Sequence, residues 1–84
     1  MTVRLRPAAP SFVCVDNGRG KVLFSGTASA PLRFRGRHIR VNIGLATTRL
    51  TVNGREIPIN SSPAGYDINI HHVLVLPEGK RPCA

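Results

Sequence analysis

Aromatic and acidic residues are scarce in this chain of 84 residues. It has no Trp, one Tyr and three Phe, and its four acidic residues are outnumbered by twelve Lys and Arg, which gives a formal net charge of +8. A chain this short buries only about 60–65% of the surface that its unfolded form exposes, so its core is modest. A ligand pocket of ordinary size would take up much of that core. We therefore expect one small domain without a cofactor.

Long hydrophobic runs and helical periodicity are also missing. No apolar run approaches the roughly 20 residues that a membrane helix needs, and no signal-peptide pattern opens the chain. No stretch of ten residues repeats its apolar positions with the 3.6-residue period of a helix. We therefore expect a soluble chain that has no membrane span and no substantial helix.

Alternation of apolar and polar residues is the main pattern that the chain does have. A period of two is typical of strands that are buried on one face only. We predict an all-β domain of about seven short antiparallel strands, folded as a small Ig-like sandwich or an open barrel. The domain spans residues 11–77, with an N-terminal strand or arm at 1–10 and a polar tail at 78–84. The clearest alternating series are Ile39, Val41 and Ile43, then Leu50 and Val52, then Ile57 and Ile59.

Asn53-Gly54 predicts a tight hairpin between two of these strands. Both central residues of a type I′ turn need a positive φ, which Asn and Gly adopt readily. A two-residue turn at this point places Leu50 opposite Ile57, on the same face of the hairpin. Because Pro58 has no backbone N–H, the second strand should be a sheet edge near that residue or carry a bulge.

The two cysteines, Cys14 and Cys83, are too few for a metal-site motif. The interpretation that we favour is two free thiols, with Cys83 in a frayed tail. The alternative is a disulfide that closes nearly the whole chain into one loop. The chain-entropy model predicts that such a bond stabilises the fold by about 4 kcal/mol. The cysteine content leaves the redox compartment open.

Arginine supplies ten of the twelve cations, and six of these arginines are our candidates for one basic face that contacts a partner. The planar guanidinium group suits bidentate recognition of phosphate or carboxylate. The alternative is an ordinary solvated sheet face that discourages edge pairing. The six candidates are Arg33, Arg35, Arg37, Arg40, Arg49 and Arg55.

Catalytic and metal-binding patterns are absent from the sequence. Ser, His and Asp residues occur, but no spacing assembles them into a nucleophilic site. His71 and His72 are neighbours in a predicted strand and would point to opposite faces, so they cannot readily chelate one ion. We predict that the protein is not an enzyme.

The order of several short motifs resembles the extracytoplasmic β domain of RodZ-type cell-shape proteins. In that family an aromatic residue with alternating valines precedes an Asp/Gly turn, a Gly-Lys-Val-Leu strand, a Phe-led strand, a Gly-ended strand and a Val-Asn-Gly hairpin. The chain departs from the pattern at Phe12, where the family usually has Trp. The matching segments are residues 11–16, Gly18, residues 20–26, Phe34, residues 41–44 and residues 50–54.

The resemblance implies a non-catalytic interaction module. RodZ-like proteins combine a cytoplasmic helix-turn-helix, one membrane helix and this β domain, and they link the cytoskeleton to wall synthesis. The helix-turn-helix and the membrane helix are missing here, so we expect an excised or standalone copy of the β domain, or one that serves another protein. Its partner would be an envelope protein or an anionic envelope polymer outside the cytoplasm.

The high positive charge leaves an alternative of another class. A basic small β-barrel in the cytoplasm could bind nucleic acid. Such proteins usually add aromatic platforms on which bases stack. The rings that could be exposed here are Phe12 and Tyr66, because Phe34 alternates inward with Leu32. The sequence does not determine the oligomeric state.

Overall fold

Nine short strands make up most of the part of the chain, residues 1–83, that the computed structural model describes. One residue of the predicted tail, Ala84, lies outside this part. The one helix among the described residues is a 3-10 turn at Glu78–Lys80, and no helix there is long and apolar enough to cross a membrane. The strands are β1 (Thr2–Arg6), β2 (Ser11–Asp16), β3 (Val22–Ala28), β4 (Leu32–Arg35), β5 (His38–Ile43), β6 (Arg49–Val52), β7 (Arg55–Ile57), β8 (Ala64–Asn69) and β9 (Val73–Val75).

The strands form two antiparallel sheets that are not closed into a barrel, which confirms the predicted all-β sandwich. The smaller sheet has the order β4-β1-β6-β7 and the larger one β3-β2-β5-β8-β9. β1, predicted as a strand or arm, lies inside the smaller sheet, where it pairs with β4 on one side and β6 on the other. The structure thus has nine strands where we expected about seven.

The core lies between the two sheets, and the alternating apolar residues fill it. Because successive side chains of a strand point to opposite faces, each strand contributes every second residue. Full burial of each such aliphatic side chain contributes about 1.5–3 kcal/mol relative to exposure. The residues with no exposed surface include Val3, Leu5 and Leu50 from the smaller sheet, and Val13, Val15, Val41, Ile43 and Ile68 from the larger one.

The hairpin between β6 and β7 has the predicted geometry. Asn53 has φ 51° and Gly54 has φ 81°, and Leu50 pairs with Ile57. β7 is an edge strand of the smaller sheet, as the position of Pro58 predicts. Asn53 also holds β1, because its side-chain oxygen accepts a hydrogen bond of 2.8 Å from the N–H of Thr2.

The C-terminal tail crosses the outer face of the larger sheet and ends in a disulfide between Cys83 and Cys14. Along the way Arg81 lies over Gly65 in β8, where a Cβ would overlap its side chain, and Asn42 in β5 donates a 2.9 Å hydrogen bond to the carbonyl of Pro82. The favoured expectation of two free thiols and a frayed tail is therefore wrong. Contacts with the sheet bring residue 83 to within disulfide distance of a strand 69 residues earlier.

Candidate anion-binding face

Five arginines project from the outer face of the smaller sheet. The inward residues of its strands are fixed by the core, so the intervening residues point to solvent. All five are exposed. We call this set the arginine face: Arg4 and Arg6 on β1, Arg33 and Arg35 on β4, and Arg49 on β6.

Two pairs of arginines stand directly opposite each other on this face. Arg4 pairs with Arg33 across β1 and β4, and Arg6 pairs with Arg49 across β1 and β6. Residues opposed in this way have their Cβ atoms about 4.5–5.5 Å apart, and like charges in such pairs destabilise a sheet. The register of the arginine face therefore opposes like charges, whose repulsion an anion would relieve.

One carboxylate accompanies the five guanidinium groups. Oε1 of Glu56 lies 3.9 Å from Nε of Arg49, and the two side chains are 62% and 74% exposed. An exposed ion pair at that distance is weak because water and salt screen it. The arginine face thus keeps an excess of positive charge.

The structure brings together three of the six arginines that the sequence singled out. Arg33, Arg35 and Arg49 belong to the arginine face. Arg40 lies on β5 in the other sheet, and Arg55 pairs with Val52, a residue of the inward row, at the end of the hairpin. Arg37 lies in the turn between β4 and β5. The predicted six-residue face is therefore not formed.

Arg40 has a structural role in the larger sheet. Its Nε and Nη2 atoms donate hydrogen bonds of 2.9 and 2.5 Å to the two carboxylate oxygens of Asp16. Asp16 also accepts a 2.9 Å bond from the N–H of Gly18. Burial alone would raise the pKa of the Asp16 carboxyl, but the hydrogen bonds from Arg40 and Gly18 outweigh it and hold that pKa below its ordinary value of 3.8. Arg40 is thus committed to Asp16 and is not free for a partner.

Sequence reasoning missed Arg4 and Arg6 as members of the face. Their alternation with Val3 and Leu5 does predict an exposed position on a strand. Their neighbours, however, depend on β1 lying between β4 and β6, which are 26 or more positions away along the chain. No local signal fixes that strand order.

No aromatic ring accompanies the arginine face among residues 1–83. Phe12 is 43% exposed but belongs to β2 in the other sheet. Tyr66 is only 6% exposed, its hydroxyl donates a 3.0 Å hydrogen bond to the carbonyl of Pro58, and burial raises its pKa. Phe34 packs against the core. The arginine face can therefore attract anions but cannot stack bases.

In the described part of the chain, no group of three or more His, Cys, Asp and Glu side chains is placed to hold a metal ion. On the outer face of the larger sheet, Nε2 of His38 and Oδ1 of Asp67 are hydrogen-bonded. That pair joins β5 to β8 and reinforces the register between them.

Comparisons with known proteins add no relative. No family model matches the chain, and neither does any curated protein or any solved structure. The resemblance to the RodZ-type β domain therefore stays a prediction, and any statement on function depends on the geometry described above.

Proposed function

We propose that this domain is a non-catalytic interaction module that binds an anionic polymer of the bacterial envelope through the arginine face. The observation that carries the proposal is the direct opposition of Arg4 to Arg33 and of Arg6 to Arg49. Two such pairs destabilise the free sheet through the repulsion between like charges. This repulsion is removed when anionic groups lie between the guanidinium groups.

The geometry of a sheet suits a polymer rather than a single small anion. Neighbouring strands lie about 4.8 Å apart, and residues on one face of a strand repeat about every 6.8 Å. The five guanidinium groups therefore form a shallow grid of positive charge that several anionic units can contact at once. Weak contacts that repeat along a chain add up to useful affinity.

The disulfide supports a location outside the cytoplasm. Disulfides persist in oxidising compartments and are rare in the reducing cytosol. Binding to nucleic acid in the cytoplasm gains less support, because the arginine face lacks the rings that single-strand binders use. An extracytoplasmic location also agrees with what the RodZ-type resemblance implies.

The experiment that tests the proposal is a binding titration with poly(glycerol phosphate), with a single-stranded oligonucleotide of equal charge in parallel. Arg4→Gln/Arg33→Gln removes one opposed pair, and Arg55→Gln/Lys80→Gln removes the same charge from exposed positions elsewhere. We expect the first variant to lose at least about ten-fold in affinity and the control less than about two-fold. The slope of log affinity against log salt should fall by about one for each face arginine removed.

Two results would contradict the proposal. The first is that the wild-type protein fails to bind poly(glycerol phosphate) at low salt. The second is that the two double variants lose affinity equally, since charge alone would then account for binding. If the protein bound the oligonucleotide more tightly than poly(glycerol phosphate), nucleic acid would become the proposed ligand in place of the envelope polymer.

A further inference from the structure

A second positively charged feature lies at one end of the sandwich and shares Arg35 with the arginine face. It is a cleft of about 410 Å³ between the turn that joins β2 to β3 and the turn that joins β4 to β5. No acidic side chain lines it. We call it the basic cleft, and its charged lining residues are Arg19, Lys21, Arg35 and Arg37, with His38 beside them.

One wall of the basic cleft is held in shape by Asn17. Its side-chain oxygen accepts hydrogen bonds from the N–H groups of Arg19 and Lys21, at 2.8 and 3.1 Å. Its own N–H donates to the carbonyl of Lys21 at 3.0 Å. These bonds fix the backbone that carries two of the cations. The loss of conformational entropy when an anion binds is therefore smaller.

The opposite wall is tied to the start of the chain. The N–H of Gly36 donates to the carbonyl of Met1, and the terminal ammonium of Met1 donates to the carbonyl of Gly36, both at 3.1 Å. Arg35 and Arg37 flank this anchored glycine. Both walls of the cleft are therefore formed before any ligand arrives.

Two carboxylates that adjoin lining residues of the cleft already have partners. Asp67 is bonded to Nε2 of His38, and Asp16 is bonded by Arg40 through two hydrogen bonds. The His38 ring packs so closely on Gly18 that a Cβ there would overlap it. No carboxylate on the lining therefore neutralises the four cations.

We propose that the basic cleft binds a phosphoryl group that carries two negative charges. Three arginines offer forked N–H donors that match phosphate oxygens, and Lys21 adds a mobile ammonium group. A cleft of this volume has room for more than the phosphoryl group. Leu23 also lines it and is 36% exposed, so a short carbon substituent of a phosphomonoester can lie against that side chain.

This site is separate from the one in the proposed function, although Arg35 contributes to both. The test therefore leaves Arg35 unchanged. Arg19→Gln/Arg37→Gln removes two cleft cations, whereas Arg4→Gln/Arg33→Gln removes two cations from the arginine face. Since all four are exposed surface residues, both variants should fold, which the dispersion of their amide spectra checks.

The measurement is an amide NMR titration of the full chain at pH 7.5 with inorganic phosphate, with glycerol 3-phosphate, and with vesicles that contain phosphatidic acid. We expect saturable shifts in residues 17–21 and 35–38, tighter binding of glycerol 3-phosphate than of phosphate, and at least a ten-fold loss in Arg19→Gln/Arg37→Gln. Arg4→Gln/Arg33→Gln should bind glycerol 3-phosphate within two-fold of the wild type.

The three ligands distinguish the possible sources of the phosphoryl group. Binding of inorganic phosphate and glycerol 3-phosphate supports a free phosphate compound as the ligand. Binding of the vesicles alone, still lost in Arg19→Gln/Arg37→Gln, supports a lipid headgroup. Shifts spread evenly over all exposed arginines would overturn the proposal. So would a loss of affinity in Arg4→Gln/Arg33→Gln that equals the loss in the cleft variant.

Discussion

Breaking the disulfide between Cys14 and Cys83 should remove a large part of the stability of this domain. The bond joins residues 69 positions apart, and a closed loop of that length restricts the unfolded chain strongly. The chain-entropy relation gives about 4 kcal/mol at 25 °C for such a loop. A domain of this size has a total free energy of unfolding of about 4–13 kcal/mol. Loss of the bond should therefore lower the melting temperature by about 15–30 °C.

The matched experiment compares urea unfolding of the oxidised protein, the reduced protein and Cys83→Ala. Cys83 is the right partner to replace, because it is exposed whereas Cys14 is fully buried. The variant should match the reduced wild type, and reductant should not change it further. The reasoning would be refuted if reduction lowered the free energy of unfolding by less than about 1 kcal/mol.

Two further predictions concern the larger sheet. Because the pKa of Asp16 lies below 3.8 in the folded protein, its carboxylate adds stability above that pH, and this contribution is lost as the pH falls through the lowered pKa. Asp16→Asn should therefore flatten the acid limb of a stability–pH curve measured by urea unfolding. Gly18→Ala should lower the melting temperature more than Gly20→Ala does: both glycines have a positive φ, but only at Gly18 would a Cβ overlap the ring of His38. Equal effects of the two substitutions would show that the ring moves aside freely.

The hairpin could be predicted from the sequence because its determinants are local. A positive φ at Asn53 and Gly54 fixes the turn, and the two-residue period then fixes that Leu50 faces Ile57. Pro58 identified β7 as an edge strand for an equally local reason, its missing N–H. The sequence therefore predicted well those features that depend only on residues close together in the chain.

The candidate site could be predicted only in part because it depends on strand order. The two-residue period of a strand is enough to place Arg33 and Arg35 on one face. Their position next to Arg4, however, requires β1 to lie between β4 and β6. The assignment of Arg40 to the same face was wrong because β5 pairs in the other sheet, where Asp16 binds its guanidinium group.

The disulfide was only the alternative interpretation of the two cysteines, for a similar reason. The distance between Cys14 and Cys83 is set by the path of the tail over the larger sheet. That path depends on Arg81 and Pro82 finding contacts on β8 and β5, and sequence spacing does not report such contacts. The sequence therefore offered the pairing but gave no means of choosing it over two free thiols.

The central claim, that the arginine face keeps repulsive pairs for the sake of an anionic partner, is tested most directly by the stability of Arg4→Gln/Arg33→Gln without ligand. At low salt we expect urea unfolding to show a free energy of unfolding about 0.2–1 kcal/mol higher for this variant than for the wild type. Its binding to poly(glycerol phosphate) should be weakened. High salt should erase the gain in stability. A variant that is less stable than the wild type at low salt would contradict the claim.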